Sequence, residues 1–452
     1  MVVGISGSIY TTLARSKKPL ESLENQSKTF SKLIMPKQFE KPIYVTRPFL
    51  PPLADFSRQL QEIWGNEWLT NNGPVLQRFQ KELCHYFKTD NLCLFNNGTL
   101  ALQIALQGLQ LSGEVITTPF TFVATTHALY WNKIRPVFVD IEPKHYTLDP
   151  AKVEAAITPW TTAILAVHVY GYPCRLQELA DIAQRHKLLL LYDAAHAFGV
   201  TVDGKSIGHY GDLSMFSFHA TKLFHSIEGG MLMFADPGQM KGFDYLKNFG
   251  FENELEVVMP GTNAKMNEFQ ALMGSQILGH VEGIISRRQK IDALYRMRLK
   301  EIPGIHIPEL QPSSVKFNYG YFPVEIMSDE FGLDRDQLYN ALQRFNVFTR
   351  RYFYPLITDF ACYRSLSVKD PLTQARKIAH RILTLPIYDS LALQDVDRIC
   401  ECIETTCPNL KDNNRPMKTV LPDRLHPSPA LPDGKKPSID LPMPLKQHMS
   451  RR

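Results

Sequence analysis

Long apolar runs are missing from this chain: no stretch approaches the roughly 20 residues that a bilayer-spanning helix requires. Its first residues, Met1 to Lys18, have no apolar segment ending in small residues of the kind a secretion signal needs. A disordered extension is the plainer reading, although the Ser and Thr content with Arg15, Lys17 and Lys18 also suits an organellar transit peptide. Cysteines number seven, an odd set scattered through periodic segments, which speaks against a disulfide framework and fits a reducing cytosol. Cys400 and Cys402 stand two apart on a predicted helix, Asp395 to Thr405, so they should face different ways rather than share a metal. A phosphate-binding Gly-x-x-x-x-Gly-Lys-Ser/Thr loop, a Gly-x-Gly-x-x-Gly turn after a strand and His–His pairs at metal-ligand spacing are all lacking. Nicotinamide chemistry therefore has no foothold. An excess of one charge is also lacking from the body. The segment Lys411 to Arg452 holds nine Lys or Arg against four Asp; taken from 50 basic and 45 acidic residues, this leaves 41 of each. A neutral body argues against a nucleic-acid footprint, which needs a basic face on the folded part.

What is present is alternation. Pro74 to Phe87 places Val75, Leu76, Phe79, Leu83, Tyr86 and Phe87 at helical spacing behind an initial proline. Short apolar runs follow, each bounded by turn residues and most leading into a helical stretch: Leu92–Phe95, Val115–Thr118, Pro136–Asp140, Ala163–Val169, Leu188–Tyr192, Leu213–Phe218 and Met231–Phe234. That order predicts an α/β fold with a mostly parallel sheet flanked by helices. Long helices are expected over Ala264–Leu278 and Val281–Ile302, then a smaller α/β portion with a strand at Tyr321–Ile326 and a helix at Asp334–Phe345. The expected organisation is a loose arm over 1–42, a large domain over 43–280, a small domain over 281–408 and a tail over 409–452. The tail's prolines, eight from Pro416 to Pro444, cannot sustain a helix or a central strand.

In open α/β sheets ligands sit at the carboxyl ends of the strands, and four such ends carry suggestive residues. Asn96-Asn97-Gly98-Thr99 precedes a predicted helix, Leu100 to Leu111; it suits an anion such as phosphate and equally suits an ordinary turn with a helix cap. Asp193 ends the very apolar Leu188–Tyr192 run. A carboxylate there wants a cationic partner, a protonated pyridine nitrogen being one, or else it caps the next turn. Lys222 follows the Leu213–Phe218 run with Ser217 just before it, placed either as a Schiff-base lysine with a phosphate-binding hydroxyl or as a surface lysine. Phe122, in Thr121-Phe122-Val123-Ala124-Thr125, is either a ring that stacks on a cofactor or part of the core.

Taken in order, these blocks resemble the DegT/StrS-type sugar aminotransferases, a fold-type I family dependent on pyridoxal 5′-phosphate. The resemblance runs from about Tyr44 to Thr405. It is carried by Trp68–Pro74 (WLTNNGP), Asn97–Leu102 (NGTLAL), Pro119–Thr125 (PFTFVAT), Asp193–Gly199 (DAAHAFG), Phe216–Lys222 (FSFHATK), Glu228-Gly229-Gly230, Met266–Ala271 (MNEFQA) and Leu385-Pro386-Ile387-Tyr388.

The resemblance implies that Lys222 is the Schiff-base lysine and proton carrier. It makes Asp193 the partner of the pyridine nitrogen, with His196 beside the ring and Phe122 stacked on it. Gly98, Thr99 and Ser217 would contact the phosphate, and Asn263 would reach the phosphate of a neighbouring subunit, which implies a homodimer with shared sites. The family's usual Gly-Tyr-Asn-Tyr-Arg-Met reads Gly261-Thr262-Asn263-Ala264-Lys265-Met266 here, losing two aromatics and an arginine. The expected activity moves an amino group, from glutamate by family habit, to the ketone of a nucleotide-linked deoxysugar. The blocks at Trp68 and Tyr352-Phe353-Tyr354-Pro355 look most like members that aminate dTDP-linked 4-keto-6-deoxy sugars. A dehydratase branch that replaces the lysine with histidine is disfavoured by Lys222. A desulfurase is disfavoured by the spacing of Ser217, His219 and Lys222. A non-catalytic regulator binding pyridoxal phosphate or a sugar nucleotide is the alternative from another class.

Overall fold

The computed structural model describes residues 36–410. Most of the expected N-terminal arm and nearly all of the Pro-rich tail lie outside the described residues. The described end of the arm is packed: Phe39 is buried and its N–H donates to the carbonyl of Phe345 at 3.0 Å. At the other end, Asn409 donates to the carbonyl of Glu330 at 3.0 Å.

The alternation read in the sequence becomes helices α1 (Leu53–Asn66), α2 (Pro74–Phe87), α3 (Gly98–Gly108), α4 (Ala124–Trp131) and α5 (Leu176–His186), interleaved with strands. The strands are β1 (Leu92–Phe95), β2 (Glu114–Thr117), β3 (Arg135–Phe138), β4 (Thr161–Val167), β5 (Leu189–Asp193), β6 (Leu213–Ser217) and β7 (Gly230–Phe234). They form one sheet in the order β1-β7-β6-β5-β4-β2-β3, in which β7 alone runs against its neighbours. Most strand residues are buried, as both faces of a helix-covered sheet require.

Pairing register aligns the carboxyl ends. Val167 pairs with Asp193, Asp193 with Met215, Ser217 with Gly230, and Gly230 with Phe95. The ends of β1, β4, β5 and β6 and the start of β7 thus share one edge.

Further along, α6 (Glu268–Leu278) and α7 (Val281–Leu299) lead to a three-stranded sheet of β8 (Ile305–His306), β9 (Phe322–Ile326) and β10 (Ile382–Leu385), with β9 central. Helices α8 (Arg335–Arg344), α9 (Thr373–Arg381) and α10 (Leu393–Thr406) complete this part. Its own apolar cluster joins Ile291 and Tyr295 of α7 to Val324, Leu338, Leu383 and Ile399. All described residues belong to one compact unit. Among them, no helix is long and apolar enough to cross a membrane.

Two boundaries differ from the sequence reading, each for a local reason. Helix α3 starts at Gly98, before Leu100, because the Asn97 side chain caps it by accepting the N–H of Leu100 at 2.8 Å. Helix α6 starts at Glu268 instead of Ala264. There Asn267 and Gln270 form a reciprocal capping box, and Ala264 is drawn off to bond the carbonyl of Lys247. Cys400 and Cys402, expected to face different ways, are both buried, since α10 packs on α7 and also on α8.

The start of α2 shows how distant segments lock together. Gly73 cannot cap it with a side chain, so the buried carboxylate of Glu268 does so across the fold, accepting the N–H groups of Val75 (2.8 Å) and Leu76 (2.9 Å). Removing that carboxylate strands two buried donors. Glu268→Ala is expected to lower stability by about 2–4 kcal/mol in denaturant unfolding; an unchanged midpoint would show that the cap contributes nothing.

Candidate active site

Asp193 is the last residue of β5 and is only 5% exposed. One of its oxygens accepts the hydroxyl of Thr125 on α4 at 2.7 Å, and the other accepts the N–H of Ala195 at 3.1 Å. The Thr125 hydroxyl is in turn 3.1 Å from that of Thr121. Burial raises the Asp193 pKa; the Thr125 and Ala195 hydrogen bonds and the charge of Lys222 pull it back down. A carboxylate held this way at low dielectric is suited to a cation brought to the strand end. Its role as a mere cap for the next turn is too small, because only the bond to Ala195 serves that purpose.

Lys222 lies beyond the end of β6, in a turn closed by its N–H to the carbonyl of His219 at 2.9 Å. Burial lowers its amine to about 8, with Asp193 the first charge opposing that shift. Its Nζ donates to the hydroxyl of Tyr321 at 3.3 Å. His196 accepts the N–H of Tyr170 on Nδ1 at 3.0 Å, which leaves any ring proton of the neutral form on Nε2. Burial, and then the charge of Lys222, push the His196 pKa well below its usual value. The imidazole lies nearly parallel to the ring of Phe353, 6.0 Å away, and 4.5 Å from that of Tyr321.

The turn before α3 is pressed against β6 and β7. A Cβ on Gly98 would stand 3.1 Å from Met215 Sδ and 3.2 Å from Ser217 Cβ, and one on Gly230 would lie 2.6 Å from the backbone of Asn97. Only glycine allows this approach. Since Asn97 caps Leu100, no side chain among the described residues accepts from the N–H groups of Gly98 or Thr99. The first turn of α3 therefore presents free donors beside Ser217. Phe122 is 58% exposed, so it is not a core residue.

The residues named from the sequence on strands β1, β5 and β6 thus gather on one edge. Asn263 accepts from Lys265 Nζ at 2.9 Å and lines an open cleft of about 600 Å³ with Asn96, Asn97, Glu228 and Gln270, beside the turn that leads into α3. The sequence reading gave no role to Thr125, Tyr170, Arg288, Asn318 or Tyr321. Thr125 stood within a quoted block; for the others no local pattern signals a role.

These residues fit pyridoxal phosphate: a glycine cradle with free N–H donors for a phosphate, a buried carboxylate for a ring nitrogen, and an amine near neutrality for an aldehyde. Fold and site together define an aminotransferase of the kind that uses this cofactor. The chain belongs to the DegT/DnrJ/EryC1/StrS aminotransferase family, whose model matches residues 53–404. It is 47% identical to a dTDP-4-amino-4,6-dideoxy-D-glucose transaminase of Shigella dysenteriae, over 80% of this chain and 99% of that protein. An Escherichia coli protein of the same description is 45% identical, over 80% and 98%. Among solved structures, DesI with its TDP-sugar product superposes with a TM-score of 0.79 at 34% identity, covering 83% of this chain and 95% of that one.

Two measurements follow from the site. Only a neutral amine attacks an aldehyde, so borohydride trapping of pyridoxal phosphate on Lys222 should speed up with pH through a midpoint near 8 and level off above it. A rate that keeps climbing into the range of a free lysine would show that the amine is not buried as described. Thr125→Val leaves Asp193 with one fewer stabilising donor and is expected to cut turnover about ten-fold without unfolding the protein. Turnover equal to that of the unmodified protein would remove Thr125 from the site.

Proposed function

We propose that the protein transfers an amino group from an amino acid, glutamate in the simplest case, to the C4 ketone of a dTDP-linked 4-keto-6-deoxyglucose, working with pyridoxal 5′-phosphate. The observation that carries the reading is the convergence of Asp193 and Lys222 at neighbouring strand ends. Transaminases described as making dTDP-4-amino-4,6-dideoxy-D-glucose, near half identical over nearly their whole length, support the substrate.

When bound, pyridoxal phosphate supplies the electron sink that makes the proton on a substrate carbon removable. Lys222 would hold the cofactor covalently through its ε-amino group. Asp193 would hold a proton on the ring nitrogen, while Gly98, Thr99 and Ser217 would take the phosphate. His196 and Phe122 would border the ring. Once its amine is free, Lys222 has the basicity to accept a proton from substrate and return it, in each half of a ping-pong exchange.

We also read the protein as a cytosolic homodimer with shared active sites. In support, Leu69 (55% exposed) presents apolar surface at the cleft that holds Asn263, and Trp68 (48%) is exposed next to it in the chain, as an interface would use. The division into domains near residue 280 belongs to this reading, with β8–β10 in the smaller part.

The test is spectroscopic and then enzymatic. The purified protein should show the absorbance band of covalently held pyridoxal phosphate, and Lys222→Ala should abolish it; a band unaffected by the substitution rejects the reading. With glutamate, a panel of nucleotide keto-sugars should give turnover on the dTDP-linked 4-keto-6-deoxy sugar. A cofactor band that responds to no amino-acid donor would instead favour a non-catalytic regulator.

A further inference from the structure

Lysine carries its charge on a flexible four-carbon stem, so an amine that must deliver a proton to one atom needs something to hold it. Asp193 attracts the Lys222 ammonium but makes no hydrogen bond to it. Among the described residues, the hydrogen-bond partner of Nζ is the phenol of Tyr321, at 3.3 Å.

Tyr321 comes from a remote part of the chain and is held there at two points. Asn318 is fully buried; its side-chain amide donates to the carbonyls of His196 (2.8 Å) and Phe198 (2.9 Å) and its oxygen accepts the N–H of Gly320 (3.1 Å). Arg288, 2% exposed on α7, donates to the carbonyl of Gly320 at 3.1 Å. One anchor ties the 318–321 segment to the loop after Asp193, and the other ties it to α7. Between them the Tyr321 ring packs 4.5 Å from His196, 5.9 Å from Tyr170 and 6.1 Å from Tyr352. Burial keeps the phenol far above its usual pKa, so it stays neutral and serves as a hydrogen-bond partner, not as an acid.

We propose that Tyr321 is a positioning residue for Lys222: its hydroxyl takes a hydrogen bond from the ε-amino group and fixes where that group carries its proton. The proposal rests on Lys222 being the cofactor lysine, as argued above. The other groups that bear on the amine are Asp193 from β5, His196 from the following loop and Tyr352 from the segment before Tyr354. Of these Asp193 favours the charged amine. His196 and Tyr352 are both kept neutral by burial.

Tyr321→Phe removes the hydroxyl and keeps the ring contacts. The full-length protein loaded with pyridoxal phosphate is titrated by absorbance from neutral to alkaline pH, beside the unmodified protein and Lys222→Ala. Loss of an acceptor for a charged N–H should move the midpoint of the band down by about one unit. Turnover should fall about ten- to a hundred-fold, with the donor KM changing less than about two-fold. An unmoved or raised midpoint together with unchanged kcat would overturn the positioning role. A band absent from the unmodified protein, or surviving Lys222→Ala, would instead reject the cofactor-lysine reading. The two failures are therefore distinct. The titration needs no sugar substrate, so it stands even if the acceptor has been misassigned.

Discussion

A carboxylate enclosed at the end of an apolar strand is the constraint on which this site depends. Asp193 cannot stay charged there without donors, and its surroundings supply them: the hydroxyl of Thr125 and the N–H of Ala195, with the amine of Lys222 near enough to matter. The two donors come from α4 and the loop after β5, and the opposing charge from the turn after β6. Holding Asp193 therefore holds three segments in register. The pKa of Lys222 belongs to the same balance, since the burial that lowers it is opposed by the charge on Asp193.

Sheet register does the rest. The pairs Asp193–Met215, Ser217–Gly230 and Gly230–Phe95 carry the site stepwise from β5 across β6 and β7 to β1. The reversal of β7 is what lets Gly230, at its start, sit against the turn at Asn97, where any larger residue would strike backbone. The turn before α3 meets the end of β6 across a strand that runs backward between β1 and β6.

The sheet was legible in the sequence because buried strands in an α/β fold are short apolar runs bounded by turn residues, and seven of them lie within a few residues of their expected ends. Asp193, Lys222 and Ser217 were legible for the same reason: a polar residue ending such a run stands out. Boundaries set by side-chain caps were less so. The Asn-Gly-Thr turn suited a helix cap in the sequence, and the bond to Leu100 places that cap at Asn97, ahead of the expected start of α3. Asn318, Tyr321 and Arg288 were hidden because nothing local marks them. Asn318 is significant only once it meets the carbonyls of His196 and Phe198, more than a hundred residues earlier in the chain. Phe122, open to either reading in the sequence, is exposed and so lies outside the core.

The late arrival of β7 has a consequence for how the molecule is made. Strand β1 leaves the ribosome early, yet its only neighbour in the sheet is β7. Until residues 230–234 are synthesised, β1 has no backbone partner, and the intervening strands can assemble only as an incomplete sheet with an open edge. Tyr321 comes later still. Such distant pairings make assembly slow relative to local helix formation. The nascent chain is thus exposed to mispairing during the interval between translation of β1 and of β7.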